Sequence, residues 1–216
     1  MLTELEPTEI PGHQPSGLGS DDHPMRVMTR RAAGLAPGGW DDAARAEVAA
    51  FFDALAPSWE SRTTPERAAV VTDCLERGLP PDLDRAGVCV EVGSGTGAYT
   101  AALAERWATV LAVEVSLEMS RRAPAAPGHR VIADGARLPL ADGAAAAVVL
   151  VNAFLFPAEV ERVLGPGGVV VWVNSSGPET PIHLPAEELV AALPGRWDAV
   201  HSRAGAGTWA VARRAR

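Results

Sequence analysis

Lysine is absent from this 216-residue chain, and all 19 of its strongly basic residues are arginine. That excludes Schiff-base chemistry on a protein amine, a pyridoxal phosphate enzyme and a P-loop lysine. Tyrosine occurs once, as Tyr99, so the Tyr/Lys pair of short-chain dehydrogenases cannot be assembled. The two cysteines, Cys74 and Cys89, are too few for a four-cysteine cluster or the three-cysteine iron–sulfur motif of radical enzymes. They fall in a predicted helix and a predicted core strand, which reads as two buried thiols rather than a disulfide or a metal pair. His13, His23, His129, His183 and His201 show no i,i+4 metal spacing, so no metal site is expected. No apolar run reaches membrane-spanning length. The first residues, with Glu4, Glu6 and Glu9, lack the basic-then-apolar order of a secretory signal, and a cytoplasmic protein is expected. The formal net charge is −8 and arginines form no cluster, which argues against nucleic-acid and membrane-surface partners. Arg213, Arg214 and Arg216 read as a short solvated basic end.

What is present centres on residues 88–97, Val-Cys-Val-Glu-Val-Gly-Ser-Gly-Thr-Gly. An apolar β-branched run enters Gly93, Gly95 and Gly97, and a helical pattern follows from Ala98. This is a buried parallel strand, a glycine-rich turn and a helix start. Such a turn brings bare backbone and unpaired N–H groups against a ligand. The glycine pattern also satisfies the dinucleotide fingerprint. Glu91 separates the two readings, because a carboxylate ending the strand repels a pyrophosphate and suits an ammonium or sulfonium group.

At this point the chain resembles the class I S-adenosylmethionine-dependent methyltransferases, whose first motif runs acidic-x-Gly-x-Gly-x-Gly. The likeness spans roughly residues 40–216. Thr109–Glu114 reads as a second strand ending in an acid. Glu114 stands where the family holds the ribose hydroxyls. Val115-Ser116-Leu117-Glu118-Met119 is similar to the step in which an apolar side chain packs on adenine. Val131-Ile132-Ala133-Asp134-Gly135 reads as a third strand ending in the acid that faces the adenine amine. Arg137-Leu138-Pro139-Leu140 and Arg162-Val163-Leu164-Gly165-Pro166-Gly167-Gly168 match later family elements. The resemblance implies S-adenosyl-L-methionine as cofactor, contacted by Glu91, Gly93, Ser94, Gly95, Thr96, Gly97, Glu114, Val115, Met119, Asp134, Gly135, Asn152 and Trp59. It implies an α/β, Rossmann-like, doubly wound and mostly parallel seven-stranded sheet closed by a C-terminal antiparallel hairpin near Trp197–Ser202 and Thr208–Ala212.

Three parts are expected. Residues 1–38, rich in Pro, Gly and acid, read as a disordered tail. Residues 39–84 read as helices covering the cofactor and acceptor site. Thr64-Pro65-Glu66 starts the second of them as cap and first-turn proline. Residues 85–216 form the cofactor-binding domain. Ala144–Ala147 replaces the Phe-Asp pair with which many members open strand four, and the segment from Asn152 to Leu164 leaves room for only an abbreviated helix.

Methyl transfer needs orientation, and it needs a general base only when the acceptor must lose a proton. His183, after strand five, and Asn152, ending strand four, are the candidate catalytic residues. The expected activity is transfer to a small-molecule acceptor by proximity and orientation. The alternatives are an NAD(P)-dependent oxidoreductase and a non-catalytic module that binds the cofactor. Neither the acceptor nor the oligomeric state is read from the sequence.

Overall fold

The computed structural model describes residues 1–125 and 128–215. Its centre is one sheet of eight strands in the order β1-β7-β8-β6-β5-β2-β3-β4. In chain order the strands are β1 (Leu2–Glu4), β2 (Val88–Val92), β3 (Thr109–Glu114), β4 (His129–Ile132), β5 (Ala145–Val151), β6 (Leu164–Asn174), β7 (Trp197–Ala204) and β8 (Gly207–Arg214). All neighbours run parallel except around β8, which is antiparallel to both β6 and β7. The predicted hairpin is therefore present. The strand order reverses its winding between the parallel strands β2 and β5, and the crevice outside their carboxyl ends is the place where α/β sheets bind ligands.

Helices cover both faces. They are α1 (Pro24–Ala32), α2 (Asp42–Leu55), α3 (Pro65–Arg77), α4 (Thr100–Ala104), α5 (Leu117–Arg122), α6 (Pro157–Val163) and α7 (Ala186–Ala192). A 3₁₀ segment, Ala56–Arg62, joins α2 to α3. The Asp41 side chain accepts from the Ala44 amide at 2.8 Å and caps α2, and Thr64 accepts from the Arg67 amide at 3.3 Å, the cap expected for α3. The central strands are buried on both faces, with Val90, Val148, Leu150 and Val170 on one side and Cys89, Val149, Val171 and Val173 on the other. Ala145 and Ala147 are buried in the core on opposite faces of the sheet. The helix after β5 is the abbreviated α6, seven residues long.

Residues 1–38 depart from the expectation of disorder. β1 adds an eighth strand by pairing parallel with β7, Leu2 opposite Ala199. Beyond it, the Leu5 amide donates to His201 O at 2.8 Å and the Thr8 amide to Arg203 O at 2.9 Å. Leu5 and Ile10 pack on one face of the sheet, while Met25 and Met28 of α1 are buried in the core on the other. The Arg26 guanidinium donates to the carbonyls of Pro178, Thr180 and Pro181 at 2.6, 2.9 and 3.1 Å. The isolated apolar residues of the tail are thus anchor points set at the spacing of a surface that local sequence does not reveal. Among the described residues, no helix is long and apolar enough to cross a membrane.

Candidate functional site

A cavity of about 420 Å³ opens at the carboxyl ends of β2, β3, β4 and β5, a volume typical of small-molecule sites. Its floor is the glycine turn. Gly93 has φ of +69°, and a β-carbon there would come within 2.8 Å of the Ala153 β-carbon, so the strand can bend away only as glycine. Gly97 has φ of +77°, and its missing side chain admits the Arg130 guanidinium, whose Nη2 would lie 2.5 Å from a β-carbon. The Ser94 hydroxyl lines the cavity and is buried with no hydrogen-bond partner. A buried donor left unpaired is costly, which points to a ligand as its partner.

Three carboxylates surround the turn, each from a strand end. Glu91, 2% exposed, accepts from the Thr100 hydroxyl at 2.5 Å. Burial raises its pKa to about 7, against the lowering effects of Thr100 and Arg130. Glu114 accepts from the Gly95 amide at 2.6 Å through one oxygen and from the Ser116 amide at 2.8 Å through the other. Burial raises its pKa as well, and those two amides oppose the rise. Each Glu114 oxygen keeps one lone pair for a further donor, as a vicinal diol requires. Asp134 accepts from the Ala136 amide at 2.8 Å and from the Trp40 indole N–H at 3.1 and 3.2 Å. Arg130 is the cation behind the first two acids. It was not singled out in the sequence, although a charge between His129 and Val131 in a parallel strand was the available signal.

The covering wall comes from α2 and the 3₁₀ segment. Asp53 ties α2 to the start of α5 by accepting from the Ser116 hydroxyl at 2.5 Å and the Glu118 amide at 3.0 Å. Trp59 stands over the turn, with its indole nitrogen 3.7 Å from where a Gly95 β-carbon would be, and packs edge-on against Phe52. Trp40 packs edge-on against Phe156 with centroids 4.9 Å apart, closing the far side beside Asp134. Trp40 too was absent from the sequence reading, because nothing local marks it as a partner of a residue 94 positions away.

Of the sequence-predicted residues, Glu91, Gly93, Ser94, Gly95, Glu114, Val115, Met119, Asp134, Gly135, Asn152 and Trp59 all line this cavity. Thr96 and Gly97 lie behind it and shape the turn, with the Gly97 amide donating to Ser94 O at 2.8 Å. Asn152 has φ of 51°, an uncommon conformation outside glycine. Its side chain accepts from the Ser175 amide and donates to the Ser175 hydroxyl, both at 2.8 Å, linking the ends of β5 and β6.

His183 is a correction. It lies in a separate groove with Trp172, Pro185 and His201, away from the cavity. The Asn174 side chain donates to Ile182 O at 2.7 Å and the Trp172 indole to Leu184 O at 3.1 Å. These bonds pin the loop so that Ile182 meets the cavity and His183 does not. Burial, with Arg26 nearby, lowers the His183 pKa to about 4, leaving it neutral. His23 of the tail does line the cavity. Its Nδ1 accepts from the Met25 amide at 3.1 Å.

Residues 90–172 match the protein family described as "Methyltransferase domain". The chain is 32% identical over 147 residues to the biotin biosynthesis bifunctional protein BioHC of Cellvibrio japonicus (strain Ueda107), covering 63% of this chain and 28% of that protein. It is 32% identical over 167 residues to the trans-aconitate 2-methyltransferase of Azoarcus sp. (strain BH72), covering 66% of this chain and 59% of that protein. The chain thus spans less than two thirds of either relative. Among solved structures, the DhpI–SAH complex is similar in fold, with a TM-score of 0.62, 21% identity and coverage of 79% of this chain and 96% of that one.

Proposed function

From the premise that this chain carries a class I S-adenosylmethionine-dependent methyltransferase domain, we propose that it transfers a methyl group to a small-molecule acceptor. The observation that carries the reading is the placing of Glu91, Glu114 and Asp134 around a turn with exposed backbone. A pyrophosphate would meet two buried carboxylates there, whereas a cationic donor meets charge of the right sign.

The residues fit the cofactor. Burial raises the Glu91 pKa, and a cationic group beside this cavity-lining carboxylate would favour its ionised form. The two spare lone pairs of Glu114 suit ribose hydroxyls, the faces of Val115 and Met119 suit an adenine ring, and the Ser94 hydroxyl has a bond to give. Asp134 would share its carboxylate between Trp40 and the adenine amine. When bound, S-adenosyl-L-methionine supplies an activated methyl carbon. The chain supplies placement. Trp59 and Phe52 exclude water above the turn, Asn152 fixes the distance between the ends of β5 and β6, and α2 is held closed by Asp53. Proximity and orientation of this kind account for a large share of a bimolecular barrier.

The test is calorimetry. S-adenosylmethionine and S-adenosylhomocysteine should bind, and NAD and NADP should not. Binding of NAD alone would make the chain an oxidoreductase, and binding of the cofactor with no transfer to any acceptor would make it a sensor.

A further inference from the structure

Arg130 belongs to the short edge strand β4, yet its charge reaches the centre of the sheet. It pairs with Ala112 of β3, and Ala112 pairs with Glu91 of β2. Residues in register on parallel neighbours project to the same face, so the arginine and the acid share a face with one alanine between them. Their backbones are two strand spacings apart, roughly 10 Å. The buried Ala112 methyl is short enough to leave the longer side chain a path inward. At the end of that path the guanidinium occupies the notch left by Gly97. A β-carbon there would lie 2.5 Å from Arg130 Nη2 and 3.4 Å from the Thr100 hydroxyl. The other nitrogen, Nη1, donates to Gly95 O at 3.4 Å.

Each of these two neighbours holds one of the acids. The Thr100 hydroxyl donates to Glu91 and the Gly95 amide to Glu114. Among the described residues, the guanidinium is bonded to neither carboxylate, so a single charge is shared between both. Burial raises the pKa of each acid, Arg130 opposes the rise in both, and Glu114 adds to that of Glu91. The other groups beside Glu91 are uncharged at neutral pH. Burial pushes up the Cys89 thiol and the Tyr99 phenol, and β5 brings only Val149 alongside. Arg62 and Arg67 line the cavity from the segment joining α2 to α3, but the cation that acts on Glu91 is Arg130.

Resting on the methyl-transfer reading, we propose that Arg130 is a positioning residue for the methyl donor: without touching it, the guanidinium behind the glycine turn keeps Glu91 ionised at neutral pH, ready for the donor's cationic group. The pairing of Gly97 with Arg130 is what admits this charge, since any side chain at 97 would displace it. A charge on an edge strand also keeps other chains from pairing with it. That role alone would leave the pH dependence of donor binding unmoved.

The test is S-adenosylhomocysteine affinity by calorimetry from pH 6 to 8.5, in the wild type and in Arg130→Met, Arg130→Gln and Arg130→Lys. This compound lacks the sulfonium but keeps the ammonium group. Wild-type affinity should rise with pH and level off above about 7. In the Met and Gln variants the rise should extend about one pH unit higher, the scale for removing one neighbouring opposite charge. Affinity should then be about fivefold lower than wild type at pH 7 and close to it at pH 8.5. Gln keeps a donor for Gly95 O, so agreement between the two neutral variants assigns the effect to charge. Arg130→Lys should keep the wild-type midpoint. In a Glu91→Gln background, Arg130→Met should create no pH dependence. A wild type with no affinity at any pH would overturn the methyl-transfer reading and this proposal with it. If the wild type binds, the proposal alone is overturned by neutral variants with the wild-type midpoint, by a loss equal at every pH, or by a Lys variant shifted as far as the Met variant.

Discussion

Glu91 couples stability, pH and cofactor binding in a way that one substitution can expose. Its pKa of about 7 in the folded protein compares with an ordinary 4.5, the cause being burial. The folded state therefore binds this proton more tightly than the unfolded chain does. The contribution of Glu91 to stability is fully present below pH 4.5 and is lost as pH rises to about 7. The difference amounts to about 3 kcal/mol, at 1.36 kcal/mol per pKa unit. Glu91→Gln keeps an acceptor for the Thr100 hydroxyl and removes the ionisation. The variant should be more stable than the wild type by up to about 3 kcal/mol at pH 8 and no more stable at pH 4, measured by urea unfolding at both pH values. Cofactor binding should move the opposite way. A cation at Glu91 favours the ionised form, so wild-type affinity for S-adenosylmethionine should fall about tenfold for each pH unit below about 7. The glutamine variant should bind weakly at every pH, without that slope. Calorimetry between pH 5 and 8 reads both. A flat wild-type profile together with full affinity in the glutamine variant would refute the assignment of Glu91 to a cationic ligand. A wild type less stable at pH 4 than the variant would refute the sign of the shift.

Glu114→Ala should weaken cofactor binding by roughly 1.5–3 kcal/mol, the scale for hydrogen bonds to a charged group, and calorimetry would show an unchanged affinity if the residue served only the Gly95 and Ser116 amides. Deleting residues 1–24 should cost on the order of 2 kcal/mol, lowering the melting temperature by roughly 4–8 °C, because β1 and the Leu5 and Ile10 anchors go with it; a melting temperature equal to that of the full chain would mean that the tail does not dock. His183→Ala should change turnover less than tenfold and leave the pH–rate profile its shape, since the side chain lies outside the cavity; a larger loss of turnover together with loss of a limb near its lowered pKa of about 4 would reinstate it as a base.

Most of the cofactor side of the site was legible because its signals are local. A β-branched run, a glycine turn and an acid two residues before it occupy ten consecutive positions, and two further strands end in acids in the same manner. Their physical cause is equally local, since strand ends and turns are specified by a few neighbouring side chains. The covering wall and the docked tail were not legible for the opposite reason. Trp40 meets Asp134, Asp53 meets Ser116 and the Thr8 hydroxyl donates to Asp73, each across more than 60 positions. No composition of residues 1–38 announces those partners, and Pro, Gly and acids in that segment describe a chain that cannot fold by itself, not one that stays free. His183 was misplaced because being in the right loop does not fix which way a side chain points. The two bonds from Asn174 and Trp172 decide that, and both residues stand in the preceding strand.

The position of β1 has a consequence for how the molecule comes to be assembled. Among the described residues its only strand partner is β7, and β7 joins the sheet through β8 (Gly207–Arg214). β2, β3, β4, β5 and β6 can close into a parallel half-sheet while Leu2–Glu4 still has nothing to pair with. The edge of β6 stays bare until the last strand arrives, and only then does a docking surface exist for Leu2–Glu4. Leu2–Glu4 can therefore be placed only after residues 197–214, a pairing of high sequence separation that local contacts cannot hasten. Ser16, Leu18 and His23, which follow β1 in the chain, line the cavity, so part of its wall comes from a segment whose first anchor is the strand that docks late.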